Sequence, residues 1–346
     1  MLNRPVELRH SFDADRLWEW LRPQVGDATR AVPIAQFDNG QSNPTYLIDV
    51  GTRKLVLRRK PPGTLLPSAH AVEREFRIMR ALAGSQVPVP QCLALCEDAT
   101  VIGSAFYIME YVEGRILRDP AVPSLARAER GPIYAEMNRV IAELHSLDPG
   151  AVGLADYGRS GNYIQRQVQR WTNQYRAAQT EDVPAMERLI EWLPQHIPPG
   201  DETRIVHGDF RLDNVIFDPH APRILAVLDW ELSTLGHPLA DFAYHCLVWY
   251  RNPDTQQGLL GLDLEALALP SVTDYLAAYC RRLGREVLPP HEWEYYLVFN
   301  MFRLVGILQG VAARAIQGNA SSSQAAVHGS GARSIAEEAW RRVEHL

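Results

Sequence analysis

The 346 residues are 46% hydrophobic and 22% charged, an ordinary globular composition with length enough for two separately cored lobes. The net charge of −6 argues against a broad surface for nucleic acid or anionic membrane. Four cysteines argue against a zinc site, since the close pair Cys92 and Cys96 has no second Cys/His pair nearby, and they read as buried reduced thiols.

The opening run M-L-N-R-P-V-E-L-R-H has no apolar leader core, which predicts a cytoplasmic protein. Asp13 or Asp15 can cap a first helix over 16–21, with Pro23 as its stop. Short strand-like runs follow at 34–37, 45–50 and 54–60, separated by the turn segments 38–44 and 51–52. A helix is expected over 71–83, with Val72, Phe76, Met79 and Leu82 near helical spacing, and a further strand over 101–112. After Gly114 the pattern turns helical, at 133–147, 163–177, 186–193 and from about 240 onward. Short strands at 204–206, 215–217 and 224–228 interrupt it, and 318–331 reads as a loop. The late apolar stretch 297–316 holds Asn300, Arg303, Gln309 and Arg314, which argues against a membrane span. The plan is α+β and bilobal, resembling a protein kinase: a small mixed β lobe over 1–112 and a larger, mainly helical lobe over 113–346, with nucleotide between them.

The chemistry concentrates in R-I-V-H-G-D-F-R-L-D-N. Asp209 can hydrogen-bond an acceptor hydroxyl and take its proton; a lone turn aspartate would do neither. Asn214, five residues on, and Asp229, which ends the following apolar run, supply an amide and a carboxylate for Mg²⁺, a cation that prefers oxygen ligands and keeps phosphates and water in its shell. An Asx turn and a strand-end acid are their structural alternatives. His207 is expected to support the catalytic loop, and Asp241 to anchor that loop or simply cap a helix.

ATP is the expected phosphate donor. Gly40 and Ser42, in the turn before two strands, can approach its phosphates, although a plain hairpin turn fits the same residues. Arg58 or Lys60, on one face of the third strand, should meet the α/β-phosphates and be held by Glu75. Backbone groups of Glu110 and Val112 should read the base. Tyr296, Asn300 and Arg303 fall at i, i+4 and i+7 of an apolar helix, so this polar stripe should face an acceptor or a buried partner. Arg166 and Arg170 form either a basic patch for an anionic substrate or a solvated face.

These motifs resemble the aminoglycoside phosphotransferase-like superfamily, which also holds choline and homoserine kinases. V-E-R-E at 72–75, H-G-D-F-R-L-D-N and L-D-W-E carry the likeness. It implies Asp209 as base, Asn214 and Asp229 as Mg²⁺ ligands, and Glu75 as partner of the third-strand basic residue. Arg58 stands where several members have lysine. A narrower likeness lies in V-L-R-R-K-P-P-G-T-L-L-P-S-A-H-A-V-E-R-E-F, N-Y-I-Q-R-Q-V-Q-R-W and F-R-L-V-G-I-L-Q-G-V. It is to a branch found as free bacterial proteins or fused to acyl-CoA dehydrogenase domains, and it implies a small hydroxylated acceptor of the 4-hydroxyacyl-CoA thioester type. Aminoglycosides, other small alcohols, or a non-catalytic nucleotide-binding module are the competing implications.

Overall fold

Alternating side chains give the first sheet two unlike faces. The computed structural model describes residues 12–26, 29–30, 32–37, 43–61, 70–316 and 331–346. It divides into one unit of Met1–Glu143, Gly150–Leu154 and Arg211–Ser233, and another of Leu144–Pro149, Ala155–Phe210 and Thr234–Leu346.

In the first unit, β1 (Val32–Gln36), β2 (Thr45–Asp49), β3 (Lys54–Arg59), β4 (Cys92–Cys96) and β5 (Phe106–Glu110) form an antiparallel sheet in the order β1-β2-β3-β5-β4. Tyr46, Ile48, Leu55, Leu57, Phe106 and Ile108 point to one side, where Leu17, Leu21 and Val25 of α1 (Ala14–Val25) complete a buried core. Each large apolar side chain buried there contributes roughly 1.5–3 kcal/mol. The Asp13 carboxylate starts α1 by accepting from the Asp15 and Arg16 N–H groups at 3.0 and 3.1 Å. The helix runs past Pro23, the expected stop. A proline in the last turn removes a single intrahelical bond, and the chain leaves the helix at Gly26, whose φ is 61°.

The opposite sheet face is different. Register sets Val56 against Met109 and Arg58 against Tyr107, and α2 (Val72–Leu82) turns Glu75, Ile78 and Met79 inward. The single strand expected over 101–112 is instead α3 (Ala99–Ile102), a left-handed turn at Gly103 and β5. The Asp98 carboxylate accepts from Thr100 N–H at 2.8 Å and nucleates that helical turn. Helix α4 (Arg127–Ser146) follows. Later, β7 (Val215–Phe217) pairs antiparallel with β8 (Ile224–Val227).

In the second unit, β6 (Arg204–Val206) pairs antiparallel with β9 (Thr234–Gly236). The remainder is helical: α5 (Tyr163–Ala177), α6 (Pro184–Trp192), α7 (Pro238–Cys246), the short α8 (Pro253–Gln256) and α9 (Leu264–Leu267), α10 (Val272–Arg282), α11 (Pro290–Ile316) and α12 (Ala332–Glu344). Helix α11 is long and apolar enough to cross a membrane, yet 67% of its apolar window is buried. It packs against α5, α7 and α12 as a core helix.

Candidate active site

The first unit contains a pocket lined by Val56, Arg58, Glu75, Tyr107, Met109, Glu110, Val112, Asn214, Leu228 and Asp229. Arg58 reaches across it. Its Nε lies 2.9 Å from Glu75 Oε2, and its Nη2 donates to Asp229 Oδ1 at 2.8 Å. Glu231 adds a third carboxylate at 3.7 Å. Burial alone would disfavour the charge on Arg58, but these carboxylates outweigh it and raise the guanidinium pKa above its ordinary value. Glu75, only 1% exposed, is held further by Asn43 Nδ2 at 2.8 Å and Tyr107 OH at 3.2 Å. Lys60 sits at the strand end and pairs with Glu73 at 2.9 Å. The basic group that α2 brings to Glu75 is therefore Arg58, while Lys60, the alternative, meets Glu73 instead.

Asp229 leaves β8 in the left-handed region, φ 64° and ψ 58°. An aspartate tolerates that backbone better than a branched residue, and the turn swings its carboxylate toward Arg58. Asn214 closes a 3₁₀ turn, its N–H donating to Arg211 O at 3.0 Å, while Leu228 N–H donates to Asn214 O at 2.8 Å. That backbone bond ties the segment carrying Asn214 to the segment carrying Asp229. Among the described residues no cluster of three His, Cys, Asp or Glu forms a closed metal cage. The donor set at the pocket, one amide oxygen and one carboxylate, fits a hard cation that completes its shell with phosphate and water. Glu110 N–H donates to Gln91 O at 2.9 Å, which leaves its carbonyl and the Val112 backbone as the candidate base contacts on the pocket wall. Gly40 and Ser42 lie outside the described residues.

The second unit carries His207, Gly208 and Asp209. Gly208 adopts φ 85°, a conformation that favours glycine, and this turns two successive N–H groups toward one acceptor. Asp241, on α7, accepts from His207 N–H through Oδ2 and from Gly208 N–H through Oδ1, both at 2.8 Å. Burial would raise the Asp241 pKa, but the His145 hydrogen bond, the nearby His145 and His207 rings and the His207 N–H together pull it below the usual carboxylate range. His207 Nδ1 accepts from Asp209 N–H at 3.2 Å, so His207 supports the turn itself. His245 Nδ1 lies 3.0 Å from Phe210 O and its Nε2 2.8 Å from Tyr275 OH. Sequence reasoning missed the bonds of Asn43 and Tyr107 to Glu75, and it missed His145 and His245. Tyr107 was accessible through its alternation in F-Y-I-M-E; the two histidines are distant in sequence and carried no local signal.

The stripe on α11 divides. Tyr296 is 2% exposed and stacks on His237, and Asn300, fully buried, donates to Ala240 O at 2.8 Å and Tyr296 O at 2.9 Å. The expectation that these two face an acceptor is corrected: α11 is packed on several sides, so its polar positions meet backbone rather than solvent. Arg303 differs. Its Nη2 donates to Gly208 O at 3.0 Å, and its guanidinium lies 4.6 Å from the Tyr244 ring centroid and 5.8 Å from that of Trp171. Arg166 donates to Arg159 O at 2.6 Å, and Arg170 lies over Trp171 at 5.6 Å.

Residues 33–287 match the model of the phosphotransferase enzyme family. The chain is 50% identical over 97% of its length to mouse acyl-CoA dehydrogenase family member 10, and 42% identical over 91% to human acyl-CoA dehydrogenase family member 11. It spans 32% and 41% of those two relatives. A crystal structure of a Ralstonia eutropha protein assigned to the aminoglycoside phosphotransferases matches with TM-score 0.89 and 50% identity, covering 97% of this chain and 99% of that one. An aminoglycoside phosphotransferase in ternary complex with AMP-PNP and hygromycin B shares the fold, at TM-score 0.62 and 17% identity, over 95% and 99% of the two chains. The chain thus has the α+β kinase-like fold and belongs to the phosphotransferase enzyme family.

Proposed function

We propose that this kinase uses MgATP to phosphorylate the hydroxyl of a 4-hydroxyacyl-CoA thioester. The observation that carries the donor half is the pocket where Arg58, Glu75, Asn214 and Asp229 converge. In this reading the Val112 N–H and Glu110 carbonyl meet the adenine edge, and Arg58, pre-aligned by Glu75, meets the phosphates. Asn214 and Asp229 would hold Mg²⁺, which supplies charge neutralisation on the phosphate oxygens. Asp209 orients the acceptor hydroxyl and receives its proton. The acceptor oxygen bonds to the γ-phosphorus, the bond from that phosphorus to the β–γ bridging oxygen breaks, and ADP leaves.

The acceptor half rests on the relatives. Half of the residues are shared with a protein named as an acyl-CoA dehydrogenase family member, which points to acyl-thioester metabolism. Arg303, Arg166 and Arg170 add positive charge in the unit that holds Asp209, which suits an anionic acceptor and disfavours a polycationic aminoglycoside. Incubation with MgATP and a panel of hydroxyacyl-CoAs, aminoglycosides and choline, followed by ADP release, tests this. Turnover is expected on a 4-hydroxyacyl-CoA. Asp209→Ala should lower kcat by about 10²–10⁴ while ATP still binds. Activity confined to aminoglycosides or choline would overturn the proposed acceptor.

A further inference from the structure

We propose that Arg166, Arg170 and Arg303, gathered around Tyr163, form a subsite for the phosphate-bearing end of the acceptor. The inference rests on the reading of the acceptor as a CoA thioester, and it identifies the residues that would recognise the CoA part. On α5, Tyr163, Arg166 and Arg170 stand at i, i+3 and i+7, one helix face. Helix α11 packs against α5 and contributes Arg303. The three guanidiniums act together on one spot. Burial raises the Tyr163 hydroxyl pKa, while Arg303, Arg170 and Arg166 each pull it down and Asp241 pushes it up.

Asp241 offsets this charge only in part, and its oxygens accept from the His207 and Gly208 N–H groups. Arg176, Arg285 and Arg333 of the same unit each pair with a glutamate. Among the described residues Arg166, Arg170 and Arg303 have no such carboxylate, although the chain as a whole carries −6. Like charges gathered around one spot favour an anion there. Each has a local contact, Arg166 with the Arg159 carbonyl and Arg170 and Arg303 with the indole of Trp171. Guanidiniums are planar, forked donors for phosphate oxygens. The Arg303 bond to Gly208 O joins the cluster to the turn that carries Asp209. A single carboxylate would offset one of the three charges. The 3′-phosphate and diphosphate of CoA offset all of them.

The test is calorimetric titration of CoA and of pantetheine, which lacks those phosphates, into the full chain and into its Arg166→Gln/Arg170→Gln variant. The variant leaves Arg303 and the catalytic turn intact. CoA affinity should drop about tenfold or more in the variant. ATP affinity and the thermal unfolding midpoint should stay at the wild-type values, and pantetheine should bind both proteins weakly and alike. Equal CoA affinity in the two proteins, or no CoA binding by the wild type, overturns the subsite. The acceptor reading fails on a separate measurement: no ADP release with either 4-hydroxyacyl-CoA or 4-hydroxyacyl-pantetheine. Arginine-dependent CoA binding alongside that result would leave the subsite standing and remove the proposed reaction.

Discussion

Arg58 uses different nitrogens for different carboxylates, Nε for Glu75 and Nη2 for Asp229. A lysine ammonium is a single point and cannot reproduce that fork. Glu75 is almost fully enclosed, so Arg58→Ala would strand a buried carboxylate and should lower the unfolding free energy by roughly 3–5 kcal/mol. Urea denaturation reads this directly, and a loss under about 1 kcal/mol, the scale of a surface pair, would contradict the buried-pair account. Two histidines set an acid limit. Burial lowers the pKa of His237 and of His245 to about 4. Unfolded histidine titrates near 6.5, so between those values the unfolded chain binds more protons and stability is lost as pH falls. From pH 6.5 to 5 each histidine should cost up to about 2 kcal/mol. Thermal melts of His245→Gln should therefore show a shallower decline over that interval than wild type; parallel curves would contradict the assignment. At this scale the H-G-D motif, Asn214 and Asp229 were legible because their spacing is local. Arg58 and Lys60 were not separable, because alternation puts both on one face. Only the placement of α2, with Glu75 under Arg58 and Glu73 beside Lys60, distinguishes them.

At the scale of elements, the link between β5 and α4 leaves no room for a side chain at Gly114. A Cβ on Gly114 would lie 2.4 Å from Phe217 O, and Arg115 exchanges backbone hydrogen bonds with Phe217 at 2.8 and 2.9 Å. Gly114→Ala must push β7 away, and β7 directly follows Asn214. The expected outcome is a loss of roughly 1–3 kcal/mol together with a higher KM for ATP. Unchanged melting and kinetics would show that this link can relax. The major helices and strands β2 and β3 were readable from periodicity. Strand β4 was not, because C-L-A-L-C has no polar alternation and is too short for a helical pattern. Strand β9 has only three residues, and its partner β6 lies far away in sequence. On α11 the polar stripe was visible, but periodicity carries no information about what faces it. Tyr296 and Asn300 met the protein interior, and Arg303 met the carbonyl of Gly208.

Across the whole chain, the kinase-like plan was legible because a β-rich stretch precedes a helical one and the chemistry falls in the second half. Acceptor identity was not, because it depends on helices that composition does not distinguish from ordinary packing. Charge is the more informative quantity: the arginines gathered around Tyr163, in the unit that holds Asp209, should prefer an anionic acceptor to a cationic one. The most direct measurement is phosphorus NMR of a 4-hydroxyacyl-CoA incubated with MgATP and the protein. A new phosphomonoester resonance on the acyl chain, absent with Asp209→Ala, is the predicted result. An unmodified thioester, under conditions where the same protein phosphorylates an aminoglycoside or another alcohol, would contradict the account.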